Sequence, residues 1–191
     1  MHPSTVAASP SATEVIATLT SAPPRPASTL VRADLPAASG LYAWWLPPDV
    51  LPALQRDEAE ARSVRKDMLL LYVGISSDLR QRLWQNHING NTRGSTLRRT
   101  LASLVGPSDL VTTGASSSEM LLWTAESEMA LTRWIRAHLS LTWAVHPMPK
   151  AVEADVIARM KPPCNLDHNS GHPNYASLSA ARTTWRSGPG C

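Results

Sequence analysis

The chain has 191 residues, of which 43% are hydrophobic, so it can bury one substantial core but not two independent catalytic domains. Its formal net charge is only +3, from 18 Lys and Arg against 15 Asp and Glu, so the overall charge does not by itself indicate a polyanionic partner. Only a local cluster of basic residues would do so. Its 2 cysteines are too few for a four-thiolate metal site or a disulfide framework.

The sequence shows no sign of a targeting or membrane-spanning segment. Residues 1–20 lack the basic start and the continuous apolar stretch of a secretory signal, and the longest strongly apolar run, Met68–Ile75, is far shorter than a membrane span. We therefore expect a soluble protein of the cytoplasm that does not act at a membrane.

The first 28 residues consist almost entirely of Ala, Pro, Ser and Thr. This composition offers too little apolar surface to offset the entropy that is lost on ordering. Residues 1–28 are therefore predicted to be a disordered or loosely ordered segment, with no more than one helical turn around Ala12–Leu19.

Two short segments rich in aromatic and aliphatic residues, Gly40–Leu46 and Met68–Ile75, predict strands that pair with each other. The segment between them, residues 47–67, combines a few aliphatic residues with a charged run. This pattern predicts a helical insertion on the surface of the domain.

Helical and strand spacings alternate through the rest of the chain. Residues 29–169 are predicted to form one domain, followed by a C-terminal tail of residues 170–191. The predicted fold class is α+β, with a small, mostly antiparallel central sheet flanked by helices. The predicted elements are, in order, a helix ending at Ile88 and capped by Ser77 or Asp78, a helix from Ser95 to Val105, a hairpin over 110–123, a helix over 125–139, a strand over 141–145, a helix over 151–160 and a helix around 177–186.

A set of residues able to support catalysis occurs in a characteristic order along these elements. Each of the two predicted strands contains a tyrosine two residues from a glycine, the next helix contains arginines and a histidine, and a later helix carries a glutamate ahead of an asparagine. In this order and spacing the sequence resembles the GIY-YIG nuclease superfamily, over roughly residues 39–169. The residues that carry the resemblance are Gly40, Tyr42, Tyr72, Gly74, Arg80, Arg82, His87, Glu153 and Asn165.

The resemblance implies that the two tyrosine motifs lie on adjacent strands of one site. In the superfamily an arginine on the following helix stabilises phosphate charge, a glutamate on a later helix holds a divalent metal ion, and an asparagine braces the site. By position these residues are Arg82, Glu153 and Asn165, with Mg²⁺ or Mn²⁺ as the expected ion. Tyr42 would act as the base or orient the attacking water, and Tyr72 would supply a second hydroxyl to the pocket.

The chemistry of phosphodiester hydrolysis explains why these residue types are needed. The reaction places negative charge on the non-bridging and leaving oxygens and needs a base for the attacking water. A guanidinium and a metal ion meet the first requirement. A phenol with a pKa of about 10 is a poor base, so Tyr42 would need a neighbouring cation or metal ion to act as one.

The first helix departs from the superfamily pattern by one residue. Counted from Gly74, the superfamily's arginine falls on Arg82 and its histidine falls on Asn86, whereas the histidine of this chain is His87. In a regular α-helix Arg80 and His87 share one face, while Arg82 shares another with Asn86. We therefore expect Arg82 to contact phosphate, with His87 and Arg80 as secondary candidates.

The segment from Arg80 to Arg99 contains five arginines and no acidic residue. Such clustering is typical of a surface that follows the phosphates of a nucleic acid. Ser95 at a helix start would add a hydroxyl contact, although capping of the helix also explains it. The predicted nucleic-acid contacts are Arg80, Arg93, Ser95, Arg98 and Arg99.

Each candidate also has an ordinary structural explanation. Both tyrosines could fill the core with their hydroxyls hydrogen-bonded, Glu153 could lie on a solvated helix face, and Asn165 could form a turn. Gly40 and Gly74 could mark a strand irregularity or leave room for the backbone of a nucleic acid.

The predicted function is that of a metal-dependent endonuclease that hydrolyses phosphodiester bonds in nucleic acid, with DNA favoured over RNA. Two alternatives stay open. One is a non-catalytic module on the same scaffold that binds nucleic acid or protein, and the other is an enzyme whose pocket has been adapted to a small molecule. Metal-dependent cleavage distinguishes the first function from both alternatives, and salt-sensitive binding without cleavage identifies a binding module.

Overall fold

The computed structural model describes residues 9–51, 67–110 and 123–187. Within these residues it contains one antiparallel sheet with the strand order β1-β4-β2-β3, flanked by helices, so the α+β prediction is confirmed. The strands are β1 Arg25–Pro26, β2 Gly40–Leu46, β3 Leu69–Ser76 and β4 Ser140–Val145. The helices are α1 Ala12–Ser21, α2 Gln81–Ile88, α3 Thr96–Leu110, α4 Ala125–His138, α5 Lys150–Met160 and α6 Tyr175–Ser187.

The central strand β2 is buried along its whole length and divides the core into two layers. Because successive strand residues point to opposite faces, Leu41, Ala43 and Trp45 face one layer while Tyr42 and Trp44 face the other. Helices α1 and α5 cover the first layer, and α2, α3 and α4 cover the second. The predicted pairing of the two tyrosine-bearing strands is confirmed, since β2 and β3 are antiparallel neighbours.

The N-terminal segment is ordered over residues 9–28, so the prediction of a loose tail is wrong there. Ser11 and Glu14 form a capping box at the start of α1, and Val15 and Leu19 are 1% and 0% exposed against the sheet. The Leu19 carbonyl also accepts a hydrogen bond from the Thr142 hydroxyl of β4. Average composition concealed this helix, because a few well-spaced apolar residues suffice when a sheet face is available to bury them.

Several other predictions concern the outer elements. The helix around residues 177–186 is confirmed as α6, which packs against α3 and buries Leu178. Helix α3 continues to Leu110, beyond its predicted end at Val105. The predicted helical insertion at 47–67 and the predicted hairpin at 110–123 fall largely outside the described residues. None of the helices in the described ranges is long and apolar enough to cross a membrane.

Candidate active site

The two tyrosine motifs face each other across β2 and β3. Tyr42 pairs with Gly74 in the strand register, and the rings of Tyr42 and Tyr72 lie 6.4 Å apart between centroids. A Cβ atom at position 74 would lie 2.5 Å from the Tyr42 hydroxyl oxygen and 2.6 Å from its Cζ. The Tyr42 ring thus occupies the space that a side chain at position 74 would need, and this contact requires a glycine. The sequence had suggested instead a strand irregularity or room for a nucleic-acid backbone.

The Tyr42 hydroxyl is the centre of a buried hydrogen-bond chain. It lies 2.7 Å from Nε2 of His87 and accepts a 3.4 Å hydrogen bond from Nε of Arg82. The other ring nitrogen of His87, Nδ1, lies 2.6 Å from Oγ of Ser95. The same Ser95 oxygen caps α3 by accepting a 3.1 Å hydrogen bond from the Arg98 amide. Tyr42 is 1% exposed, and His87 and Ser95 are 0% exposed, so water does not compete for these bonds.

The environment keeps both members of the Tyr42–His87 pair neutral. Burial raises the pKa of the Tyr42 phenol, and the charge of Arg82 opposes this effect only in part. Burial also lowers the pKa of His87 well below its ordinary value, assisted by the positive charges of Arg82 and Arg98. A neutral imidazole donates through one nitrogen and accepts through the other, so the bonds from Tyr42 through His87 to Ser95 run in one direction.

Helix α2 is π-helical, and this geometry explains the one-residue shift of the histidine. Near its end the Asn89 amide donates to the Trp84 carbonyl, five residues earlier, at 3.0 Å. A π-helical turn holds more residues than an α-helical turn, so residues five apart lie on the same face. Arg82 and His87 therefore both reach Tyr42. The prediction that these two side chains occupy different faces is wrong, because it assumed α-helical geometry.

The Arg82 guanidinium is held from two sides. Its Nε donates to the Tyr42 hydroxyl, and Nη1 donates to the Gly94 carbonyl at 3.1 Å. Nη2 makes no hydrogen bond to any part of the chain that the structure describes. Arg82 is partly exposed, so one edge of an oriented guanidinium is available to an anion.

Tyr72 differs from Tyr42 in the state of its hydroxyl. Tyr72 is 9% exposed, and within residues 9–51, 67–110 and 123–187 its hydroxyl makes no hydrogen bond. Burial, reinforced by the neighbouring Tyr42, raises its pKa. Among the described residues, the site thus contains one phenol that is engaged in the network and one whose hydroxyl has no hydrogen-bond partner.

Glu153 lies in the first turn of α5 and is half-buried. Its carboxylate forms no hydrogen bond or ion pair with any described residue, and burial raises its pKa. The charge of Glu153 in turn raises the pKa of both Tyr42 and Tyr72. Helix α5 packs mainly on the opposite face of the sheet. Glu153, in its first turn, nevertheless lies within electrostatic reach of both phenols.

Asn165 fixes the outer edge of β3 beside the tyrosine motif. Its Oδ1 accepts from the Val73 amide at 2.9 Å and its Nδ2 donates to the Val73 carbonyl at 2.8 Å. The amide of Cys164 adds a bond to the Leu71 carbonyl. Asn165 thus satisfies backbone groups that an edge strand would otherwise leave unpaired, and it holds the segment from Tyr72 to Gly74 in place.

A family model described as the GIY-YIG catalytic domain matches residues 40–184, from the start of β2 into α6. The chain belongs to the GIY-YIG family. No curated protein and no solved structure matches it significantly. The nuclease-type domain thus includes α6, whereas α1 and β1 precede the matched region.

Two of the predicted nucleic-acid contacts of this GIY-YIG domain are wrong. Arg98 is 0% exposed, forms a 2.8 Å ion pair with Glu128, and donates to the carbonyls of His87 and Ile88 at the end of α2. Ser95 is also fully buried, with its hydroxyl bound to His87. The linear clustering of arginines could not reveal that one of them points inward and caps the neighbouring helix.

The other predicted contacts occupy three different environments. Nε of Arg80 donates to the Leu35 carbonyl at 2.7 Å, which secures the loop that leads into β2. Arg99 donates to the carbonyls of Thr92 and Arg93, which shapes the loop after α2. Arg93 itself is exposed. Of these three side chains, Arg93 is the one best placed to meet a phosphate.

Replacing Arg98 with Met is expected to lower the free energy of unfolding by about 3–5 kcal/mol, because Glu128 and several buried carbonyls lose their partner. Urea unfolding followed by circular dichroism measures this change. Arg93→Met is the matched control, and its effect should stay within about 0.5 kcal/mol since that side chain is exposed. A loss below about 1 kcal/mol for Arg98→Met would contradict the buried-pair interpretation.

The residues present fit a hard divalent cation with few protein ligands. Among the described residues, no group of three or more His, Cys, Asp or Glu side chains is arranged to hold a metal ion. Glu153 nevertheless offers a partly desolvated carboxylate that has no partner among the described residues and lies within electrostatic reach of the two phenols. Mg²⁺ is commonly bound by one or two carboxylates, with waters and substrate phosphates as the remaining ligands.

Proposed function

We propose that this GIY-YIG protein is a metal-dependent endonuclease that hydrolyses phosphodiester bonds in nucleic acid, with DNA as the preferred substrate. The observation that carries the proposal is the combination of Arg82, Tyr72 and Glu153 around the paired tyrosine strands. Each of the three has a polar group with no hydrogen-bond partner among the described residues, and buried hydrogen bonds connect Tyr42 to both Arg82 and His87.

Arg82 is assigned to the scissile phosphate. Negative charge accumulates on the non-bridging oxygens during hydrolysis, and a pre-oriented guanidinium stabilises that charge without reorganising. Tyr42 and the Gly94 carbonyl supply the orientation, and Nη2 supplies the contact. Asn86, the position expected for the superfamily's histidine, is not required in this scheme because His87 reaches Tyr42 through the π-helical turn.

Tyr72 is assigned to the attacking water, and Tyr42 is assigned a positioning role. The Tyr42 hydroxyl is already committed to His87 and Arg82, and its raised pKa disfavours a phenolate at neutral pH. The Tyr72 hydroxyl makes no hydrogen bond within the described residues and can accept one from water. This division revises the initial expectation that Tyr42 contacts the water directly.

Glu153 would hold Mg²⁺ or Mn²⁺. When bound, the ion would supply positive charge and Lewis acidity beside the scissile phosphate. Asn165 keeps β3, and with it Tyr72, in a fixed position relative to the end of α5. The proposed roles are thus divided between one carboxylate, one guanidinium and two phenols.

Cleavage of a supercoiled plasmid and of labelled DNA and RNA oligonucleotides tests the proposal. We expect the purified full chain to cut DNA in the presence of Mg²⁺ or Mn²⁺, and excess EDTA to abolish the cutting because it removes the ion that would supply positive charge beside the scissile phosphate. RNA of the same sequence should be cut more slowly.

The same assay contains the outcomes that would reject the proposal. Salt-sensitive binding of DNA without cutting under any tested metal ion would assign the chain to the binding-module class. Cutting that persists undiminished in EDTA would reject the role of Glu153 as a metal ligand. Absence of both cutting and binding would favour a pocket adapted to a small molecule.

A further inference from the structure

A cavity lies between the loop after α2 and the C-terminal helix α6. Its volume is about 310 Å³, within the size range of small-ligand pockets, which begins at roughly 300 Å³. We call it the tryptophan cavity because two indole rings line it. The residues that matter here are Asn91, Arg93, Arg99, Trp123, Glu128 and Trp185.

The two indole rings are arranged edge to face. The centroids of Trp123 and Trp185 lie 6.0 Å apart, with an angle of 77° between the ring planes. Aromatic side chains that line a cavity provide stacking surfaces for a flat ring, and every nucleobase has such a ring. Stacking is therefore the interaction that this lining offers first.

The charges of the cavity favour an anionic ligand. Arg93 and Arg99 both line it, while the single carboxylate, Glu128, is paired with Arg98. Of the two arginines, Arg93 is exposed, whereas Arg99 is engaged by the loop carbonyls of Thr92 and Arg93. A nucleotide combines a ring that can stack with a phosphate that Arg93 can bind.

The cavity also contains a polar group suited to the edge of a base. Oδ1 of Asn91 accepts from the Gly94 amide at 3.1 Å, which orients the side-chain amide. Its Nδ2 makes no hydrogen bond within the described residues. An oriented amide donor can pair with an acceptor on a base edge.

The loop after α2 contacts both the cavity and Arg82. Gly94 accepts the hydrogen bond from Nη1 of Arg82, and Asn91 lies three residues earlier. Three residues span at most roughly 11 Å. A strand of duplex DNA advances about 3.4 Å per nucleotide, so this reach corresponds to about three nucleotides.

We propose that the tryptophan cavity binds an unstacked nucleobase of the nucleic-acid substrate, within a few nucleotides of the phosphate held by Arg82. This inference rests on the proposed nuclease function and specifies its substrate class: nucleic acid with an unpaired or single-stranded nucleotide near the cleavage site. The cavity selects unpaired nucleotides because a base inside a duplex presents neither ring face to a tryptophan.

Equilibrium binding in EDTA tests this proposal without any requirement for cleavage. The probes are a fluorescein-labelled DNA duplex with one unpaired adenine and the same duplex without it. We expect the native chain to bind the duplex with the unpaired base roughly tenfold more tightly, and Trp185→Leu to lose that preference, because one stacked base contributes a factor of this order.

Matched variants separate base binding from general damage to the fold. Trp134→Leu makes the same change at another partly buried tryptophan that packs against the same core and should keep the preference. Trp185→Phe retains an aromatic ring and should keep most of it. Thermal unfolding of each variant shows whether the fold is intact.

A charge variant tests the cavity without altering the core. Arg93→Gln should weaken binding and reduce the slope of log affinity against log salt by about one, as expected for one lost phosphate contact. Arg159→Gln is the control, since Arg159 contacts Thr13 on the far layer of the sheet and should leave the slope unchanged.

Equal affinity of the native chain for the two duplexes would overturn the proposal, and so would an unchanged preference in a folded Trp185→Leu variant. If Trp185→Leu does not fold, an unchanged salt slope in Arg93→Gln would overturn it. These outcomes are independent of metal-dependent cutting. A chain that prefers the unpaired base in EDTA but never cuts DNA would retain the cavity assignment and reject the nuclease assignment.

Discussion

Replacement of Glu153 by Gln is expected to reduce Mg²⁺-dependent DNA cleavage by at least about 100-fold, which corresponds to about 2.7 kcal/mol of transition-state stabilisation. The substitution keeps the shape of the side chain but removes the negative charge that would hold the ion. Single-turnover cleavage, measured across a titration of Mg²⁺, gives both the rate and the apparent metal affinity. Binding of DNA in EDTA should be unaffected.

The stability of this variant should move in the opposite direction to its activity. Burial raises the pKa of Glu153 in the folded state, so the stability that this carboxyl contributes is present at acidic pH and is lost as the pH rises through the folded-state pKa. Glu153 is a partly desolvated carboxylate with no hydrogen-bond or ion-pair partner among the described residues, so its ionised form is destabilised in the fold. Glu153→Gln should therefore unfold at the same or a higher urea concentration than the native chain.

Asp155→Asn provides the control for this pair of measurements. It makes the same carboxylate-to-amide change on the same helix at an exposed position. It should cleave at the native rate, and its stability should change by less than about 0.5 kcal/mol. Native-like cutting by Glu153→Gln, or an equal loss of cutting in both variants, would remove Glu153 from the proposed mechanism.

Strong local patterns in the sequence predicted the central part of the fold. The aromatic and aliphatic run at Gly40–Leu46 is buried from end to end as β2, and the amphipathic spacing of residues 125–139 gives α4 within one residue. Asp78 caps α2, as expected, by accepting from the Gln81 amide. In these segments the local pattern and the tertiary packing favour the same structure.

Other features depended on contacts that a local pattern does not encode. α1 is stable because its few apolar residues pack against the sheet. The average composition of residues 1–28 does not show that a sheet face is available for this packing. In the sequence, nothing distinguishes Arg98 from the more exposed arginines around it. The structure shows that its side chain is buried against the end of α2. Gly94 carries no functional side chain, so no residue pattern could have shown that its carbonyl orients Arg82.

The structure brings Tyr42, Arg82 and His87 into contact, a geometry that the sequence did not predict. The order of tyrosines, arginine, glutamate and asparagine pointed to the GIY-YIG family, which the family match bears out. Sequence spacing alone, however, separated Arg82 from His87, because it assumed 3.6 residues per turn. The π-helical turn restores the contact and shows why a histidine displaced by one residue still reaches Tyr42.

The two tyrosines are expected to respond differently to the loss of their hydroxyls. Tyr72→Phe should lower the cleavage rate by about 100-fold, the loss expected when the attacking water is no longer held in position. Its stability should change little, since the Tyr72 hydroxyl makes no hydrogen bond within the described residues. Single-turnover cleavage and urea unfolding measure the two effects separately.

Tyr42→Phe should lower both activity and stability. It leaves Nε2 of the fully buried His87 without its hydrogen-bond partner, which costs about 1–3 kcal/mol. It also removes one of the two contacts that orient Arg82, so phosphate binding should weaken as well. A stable Tyr42→Phe variant that does not cut, together with a Tyr72→Phe variant that cuts at the native rate, would return the water-directing role to Tyr42. The proposed roles require a larger loss of cutting in Tyr72→Phe than in Tyr42→Phe, because a phenol already bonded to an imidazole and a guanidinium has little capacity left for a water molecule.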